Sequence, residues 1–180
     1  MIKYINRINS NINNLLTNNF KLTKLYKYKT SKCNELNCIT CKFIYEKNSI
    51  NLNYHNLKLN LLNNATCNTE NIIYIIICKK CKLYYVGETY KKLKERIAQH
   101  LNHIFNFIPY EKYYDKIVAK HFRTDNHSLN DFNVCVFKSN FINSKERKEK
   151  EQDLINFLNL KTNNCINIIK TNNSKNFVFL

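Results

Sequence analysis

Residues 72–89 read IIYIIICKKCKLYYVGET, and this stretch predicts a β-hairpin at the centre of the fold. Residues 72–78 are a continuous apolar run rich in β-branched side chains, which is typical of a buried central strand. Residues 83–87 predict a second strand, and only residues 79–82 separate the two. The cysteine pair of this stretch, Cys78 and Cys81, should therefore lie at the tip of the hairpin.

The residues after the hairpin predict helices and one more strand. Residues 91–104 carry apolar side chains at helical spacing, and Thr89 is the predicted N-cap. A second helix is expected around residues 113–122, a third strand at 132–137 and a last helix at 144–160 with Ser144 as its N-cap. The order β-β-α-α-β-α predicts an α+β fold with a small three-stranded, mostly antiparallel sheet flanked by helices.

The composition indicates a nucleic-acid partner. The 180 residues carry 29 Lys and Arg against 13 Asp and Glu, a formal charge of +16, so the chain should attract polyanions. An anionic membrane surface is the second candidate. No segment approaches the ~20 apolar residues that span a bilayer. The polar N-terminus does not resemble a secretory signal, so we expect a nuclear or cytoplasmic protein that is not secreted. In that setting eight cysteines are more often metal ligands or free thiols than disulfides.

Two groups of cysteines have the spacing of zinc ligands. Cys33, Cys38 and Cys41 follow a C-x4-C-x2-C pattern, and either Cys67 or His55 would complete four ligands. The alternative is a set of reduced cysteines without metal. These residues form a cysteine-rich N-terminal segment.

A second candidate zinc site combines the hairpin tip with residues downstream. Cys78 and Cys81 form a C-x2-C pair, and His121 and His127 could supply two further ligands. Solvated loop histidines are the alternative interpretation of that pair. Two cysteines have apolar surroundings and are expected in the core: Cys135 and Cys165.

Polar residues on two predicted helices suggest a site between them. Arg96 and His100 are four residues apart and share a helix face, although both could simply be exposed. Glu151 lies at helical spacing from the apolar residues that follow it in the last helix. Its side chain should therefore project toward the buried face of that helix. An inward carboxylate requires a metal or an arginine as partner, and Arg147, one turn earlier, is the simplest arginine.

These motifs together resemble the core of the GIY-YIG nuclease superfamily. The two tripeptides of that family correspond to Ile72-Ile73-Tyr74 and Tyr85-Val86-Gly87. The chain departs from the family at Ile72, which stands where the first tripeptide has glycine. The remaining family positions fall on Arg96, His100, Glu151 and Asn167.

The cysteines narrow the resemblance. A C-x2-C pair inside the hairpin with two downstream histidines is similar to the zinc motif of the endonuclease domain of Penelope-like retroelements and their free-standing relatives. The resemblance assigns this motif here to Cys78, Cys81, His121 and His127. It covers about residues 30–168 and implies DNA as substrate. It also raises the reverse transcriptase machinery of a mobile element as a possible partner.

The resemblance implies a metal-dependent DNA endonuclease. Glu151 would hold one Mg²⁺ or Mn²⁺, and Arg96 would stabilise charge on the phosphate. Tyr74 would act as general base if cationic neighbours such as Arg96 lower the pKa of its hydroxyl, and His100 is the rival base. Tyr85 and His100 would orient the attacking water or share the proton transfer.

The other expectations concern support and DNA binding. Zinc would be structural at both sites, and Gly87, the only glycine, would allow DNA or the next helix to approach closely. The predicted basic surface consists of Lys79, Lys80, Lys82, Lys91, Lys92 and Lys94.

We expect four segments and keep two other functions open. The segments are an Asn/Lys-rich N-terminal segment at 1–30, the cysteine-rich segment at 31–70, the nuclease domain at 71–168 and a tail at 169–180. The main alternative is a catalytically inactive, zinc-stabilised nucleic-acid-binding module. The other is a structural protein without bound metal.

Overall fold

The computed structural model describes residues 27–52, 58–108, 117–123, 127–162 and 164–167. Within these residues it contains seven strands and three α-helices, and none of the helices is long and apolar enough to cross a membrane. In chain order the elements are β1 (Thr30–Ser31), β2 (Ser49–Asn51), β3 (Lys58–Asn60), β4 (Ala65–Thr66), β5 (Ile72–Cys78), β6 (Tyr84–Thr89), α1 (Leu93–Phe105), α2 (Ile117–Arg123), β7 (Phe132–Lys138) and α3 (Ser144–Thr162).

The central sheet has the strand order β6-β5-β7 and is antiparallel throughout. All seven residues of β5 are buried, because both faces of the sheet are covered by other elements. The predicted α+β fold with its central hairpin is confirmed. Strand β6 extends two residues beyond the prediction, so Gly87 lies within the strand and not at its end.

The alternation of side chains along β5 separates two halves of the core. Tyr74 and Ile76 belong to the half that contains α1 and α2. Ile75 and Ile77 belong to the half that contains α3 and the small β2–β3 sheet. Each fully buried isoleucine contributes about 1.5–3 kcal/mol, so the unbroken apolar run of β5 holds both layers together.

The cysteine-rich segment packs against the central sheet. Strand β1 pairs in parallel with β4, and the Thr30 hydroxyl accepts a hydrogen bond from Val136 N at 2.8 Å. Tyr45 N donates to Val134 O at 2.8 Å. These contacts cover the outer edge of β7 and leave the cysteines beside α1. His55, the rival fourth ligand, lies outside the described residues.

Two predicted helix caps are wrong. Thr89 belongs to β6, and its hydroxyl accepts from Lys91 N, two residues before α1 begins at Leu93. At α3 the side chain of Asn143 accepts from Glu146 N at 2.8 Å, so Asn143 and not Ser144 provides the cap. The second predicted helix is described over Ile117–Arg123, and the start of its predicted span lies among residues 109–116, outside the described part of the chain.

Candidate functional site

The only glycine of the chain faces the ring of Tyr74. The two residues are paired across β5 and β6. A Cβ atom at Gly87 would overlap the hydroxyl end of the Tyr74 ring. The Tyr74 side chain can lie across the edge strand because Gly87 has no side chain at this point. The close approach expected at Gly87 is made by this ring, and contact of Gly87 with DNA stays a prediction.

The Tyr74 hydroxyl joins two residues of α1. Arg96 Nε donates to the Tyr74 oxygen at 2.9 Å, and the same oxygen lies 2.8 Å from His100 Nε2. A phenol has one proton to donate, and the bond from Arg96 occupies an acceptor position of its oxygen. The hydroxyl can donate this proton to His100 Nε2, in which case the proton of the neutral imidazole lies on Nδ1. Short polar contacts thus connect Arg96, the Tyr74 hydroxyl and His100.

Burial determines the protonation states of Tyr74 and His100. Burial, with Arg96 nearby, lowers the pKa of His100 to about 3, so its imidazole is neutral. Burial raises the pKa of Tyr74 well above its usual value, and the bond from Arg96 offsets this only in part. Arg96 lowers the pKa of Tyr74 as expected, but burial outweighs its effect and the net pKa is raised. At neutral pH the Tyr74 hydroxyl is protonated.

Tyr85 and Glu151 complete the group. The ring of Tyr85 lies 5.5 Å from the His100 ring and 6.3 Å from the Tyr74 ring. Burial raises the pKa of Tyr85, and the negative charge of Glu151 on α3 raises it further, as it does that of Tyr74. Glu151 is half-buried, and its charge acts on both tyrosines. A carboxylate in this position offers the oxygen ligand that Mg²⁺ or Mn²⁺ prefers.

Arg147 has a partner that the sequence did not suggest. Its Nε donates to Glu88 Oε2 at 2.5 Å, and its Nη1 donates to Asn71 Oδ1 at 3.1 Å. The side chain of Arg147 is only 5% exposed, so this is a buried ion pair between α3 and β6. The sequence did contain a signal for the burial of Arg147, because this residue precedes Glu151 by one turn and lies on the same helix face.

Asn167 binds the free edge of β6 beside Tyr85. Its Oδ1 accepts from Val86 N at 2.8 Å, and its Nδ2 donates to Val86 O at 2.7 Å. The carboxamide thus replaces a neighbouring strand at this point. Ile166 N donates to Tyr84 O, which extends the pairing along the edge. Asn167 supports the strand that carries Tyr85.

Four cysteines near the start of α1 form the first quartet, which comprises Cys33, Cys38, Cys41 and Cys67. Their sulfur atoms all lie within 4.8 Å of one another. Cys41 Sγ is 3.6 Å from Cys33 Sγ and 3.5 Å from Cys67 Sγ. Tetrahedral zinc with bonds of 2.3 Å would separate its sulfur ligands by about 3.8 Å, so the arrangement fits zinc.

The second quartet combines the hairpin tip with residues around α2, and it comprises Cys78, Cys81, His121 and His127. Cys81 Sγ lies 3.5 Å from His121 Nε2, close to the separation of about 3.6 Å that tetrahedral zinc requires. Both ring nitrogens of His127 are buried and make no hydrogen bond with the described residues. A buried imidazole without hydrogen bonds is unfavourable, and a metal ion would satisfy one of its nitrogens. This quartet could therefore also hold zinc.

The remaining predicted residues are distributed over the core and the surface. Cys135 is buried and Cys165 half-buried, as expected for core residues. Three predicted DNA-binding lysines are exposed on the hairpin turn: Lys79, Lys80 and Lys82. Lys91 and Lys92 are half-buried before α1, and Lys94 forms an ion pair with Glu35 at 2.6 Å.

In a comparison with known protein families, one family model matches more than half of the chain. The family model of the GIY-YIG catalytic domain matches residues 70–164. No curated protein and no solved structure matches the chain. The matched range includes the Tyr74 group and the second quartet. It begins after Cys67, so the first quartet lies outside it.

Proposed function

The chain belongs to the GIY-YIG family of catalytic domains, and on this premise we propose that it is a metal-dependent endonuclease that hydrolyses DNA phosphodiester bonds. The observation that carries the proposal is the hydrogen-bonded chain from Arg96 through Tyr74 to His100. In it, a cation (Arg96) and a neutral proton acceptor (His100) both contact the Tyr74 hydroxyl group. A phosphodiester hydrolase requires both, one to stabilise phosphate charge and one to remove the proton of water.

Tyr74 and His100 share the role of general base in this proposal. The oxygen of water forms a bond to phosphorus while the bond to the 3′-oxygen breaks. The Tyr74 oxygen takes the proton of the water as its own proton passes to His100 Nε2. An anionic phosphate beside the imidazole favours its protonated form and raises the pKa of His100 from its low resting value. This relay does not require an ionised tyrosine in the resting site.

Arg96 and Glu151 bind the two charges of the reaction. The guanidinium of Arg96 pairs with non-bridging oxygens of the phosphate and holds the Tyr74 oxygen in place through Nε. Glu151 would hold a Mg²⁺ or Mn²⁺ ion, and the ion would supply Lewis-acid stabilisation of the negative charge on the leaving 3′-oxygen. Tyr85 packs against His100 and orients its ring.

The two quartets would hold structural zinc in this proposal. Such sites contribute on the order of 10 kcal/mol to folding in small zinc peptides. The Cys78, Cys81, His121 and His127 set supports a relationship with the endonucleases of Penelope-like retroelements, with reverse transcriptase machinery as a candidate partner. Exposed lysines on the hairpin turn would bind DNA phosphates, so affinity should fall steeply between roughly 50 and 200 mM salt. A flat salt dependence would argue against phosphate-dominated binding.

A plasmid-nicking assay in Mg²⁺ or Mn²⁺ tests the proposal. We expect Glu151→Ala to lower the nicking rate by at least about 100-fold, because the metal ligand is lost. The matched control is Glu149→Ala, which removes an exposed carboxylate of the same helix and should nick like the wild type. All three proteins must contain equal zinc. Equal nicking by Glu151→Ala and the wild type would refute the assignment of Glu151.

A catalytically inactive DNA-binding module is the second candidate. Two observations favour it. Ile72 stands in place of the first family glycine, and Tyr74 is completely buried although the proposed reaction requires water to reach its hydroxyl. Folded, zinc-loaded protein that binds DNA but does not nick it in either metal would support this candidate.

A further inference from the structure

The first turn of α1 is held by the segment that carries Cys67. The N-cap residue Lys92 provides no side-chain hydrogen bond. Instead, Leu93 N donates to Thr69 O at 3.0 Å and Lys94 N donates to Cys67 O at 2.9 Å. The first amides of a helix have no partner within it, so these two carbonyls act as its cap. Cys67 thus contributes its sulfur to the first quartet and its carbonyl to α1.

The capping turn is fixed by further hydrogen bonds. Thr66 N donates to the Thr69 hydroxyl at 2.9 Å, and Thr69 N donates to Thr66 O at 3.1 Å. Glu35, from the loop between two quartet cysteines, accepts from Asn68 Nδ2 at 2.6 Å. The other oxygen of Glu35 pairs with Lys94 Nζ. The cysteine loop, the capping turn and α1 therefore form one connected unit.

We propose that the first quartet, when it holds zinc, caps and positions α1, the helix that carries Arg96 and His100. Zinc fixes the loop and the turn to each other, and the turn then presents its carbonyl groups to the helix. Four thiolates around Zn²⁺ carry a net charge of −2, which is favourable at the positive end of a helix dipole. The first quartet is thus a positioning element whose importance for cleavage rests on the proposed function.

The second quartet provides a matched control. Its ligands belong to the hairpin tip and to the region of α2, and none of them bonds the first-turn amides of α1 in the described residues. Loss of zinc there should leave the cap of α1 intact. Cys38→Ser removes a ligand of the first quartet, and His121→Ala removes a ligand of the second.

Amide hydrogen exchange of the full chain, measured by NMR at Leu93 and Lys94, tests the proposal. Each variant should lose one bound zinc. We expect Cys38→Ser to accelerate exchange at both amides by about tenfold, the size expected when a helix cap is lost. His121→Ala should leave both rates unchanged. Protected amides of α3 in both variants would show that the fold persists.

Should Cys38→Ser fail to fold, Glu35→Ala tests the same link with all four thiols present. It should accelerate exchange at Lys94 by about twofold, since only a surface contact is lost. Wild-type exchange rates in Cys38→Ser, equal acceleration in the two zinc variants, or a wild-type protein without zinc in the first quartet would overturn the proposal. Because exchange is independent of nicking, an inactive protein with the expected pattern would refute only the nuclease function.

Discussion

Each face of the central sheet has an arginine beside it, and the two arginines have different partners. Arg96 on α1 bonds uncharged groups, namely the Tyr74 hydroxyl and the side-chain oxygen of Gln99. Arg147 on α3 bonds the carboxylate of Glu88 and is buried. The charge of Arg147 is therefore balanced by a carboxylate of the protein, and in the proposed function the charge of Arg96 pairs with the phosphate. The same residue type thus joins two elements of the fold on one face and belongs to the candidate site on the other.

The largest effect of breaking this contrast is expected at Arg96. We predict that Arg96→Gln lowers the nicking rate by about 100- to 1000-fold, because a donor to the phosphate charge is lost. Its free energy of unfolding should change by less than about 1 kcal/mol, since its partners are uncharged. Nicking and urea unfolding of the same preparation measure both quantities. Wild-type nicking would remove Arg96 from the proposed mechanism.

Arg147 should show the opposite behaviour. Arg147→Met leaves the Glu88 carboxylate without its cation and should lower the free energy of unfolding by about 3 kcal/mol. We expect the low end of the usual range because the Glu88 side chain is 21% exposed. The double variant Arg147→Met/Glu88→Gln should recover part of this loss in urea unfolding. Additive losses would mean that the two side chains are not coupled.

A smaller effect is expected at the glycine that accommodates Tyr74. Gly87→Ala places a Cβ against the ring and should lower the free energy of unfolding by about 2 kcal/mol. In a Tyr74→Ala background the same substitution should have almost no effect, because the ring is absent. Urea unfolding of the four proteins completes the cycle. An equal loss in both backgrounds would place the strain elsewhere.

The last effect appears only in acid and concerns the pH dependence contributed by His100. Its pKa is about 3 in the folded protein and 6.5 when unperturbed, so the unfolded chain takes up the proton first. The contribution of His100 to stability is complete above pH 6.5 and is lost as pH falls toward 3, by about 1.4 kcal/mol per pH unit. His100→Gln should therefore lose stability less steeply in acid. Protonation of zinc ligands affects both proteins, so identical slopes would contradict the low pKa.

The sequence predicted the features that depend on residues close together in the chain. The apolar run of β5 and the short gap before β6 were sufficient for the hairpin. Spacing alone indicated both groups of metal ligands, and for the first group it left Cys67 and His55 open. It did not reveal the Glu88 partner of Arg147 or the cap of α1, because these contacts join residues far apart in the chain. The predicted cap at Thr89 failed for the same reason, since carbonyls from the Cys67 turn occupy the first turn of the helix.

The amino-acid sequence by itself determined the α+β architecture and most of the candidate metal ligands, because hydrophobic periodicity and ligand spacing are local properties, and the family resemblance of its motifs indicated the residues of the candidate site. Only the tertiary structure decided the state of those residues. The pKa values of Tyr74 and His100 depend on burial between a sheet and a helix, which no local pattern specifies. The partner of each arginine likewise depends on packing, which brings a carboxylate against Arg147 and a phenol against Arg96.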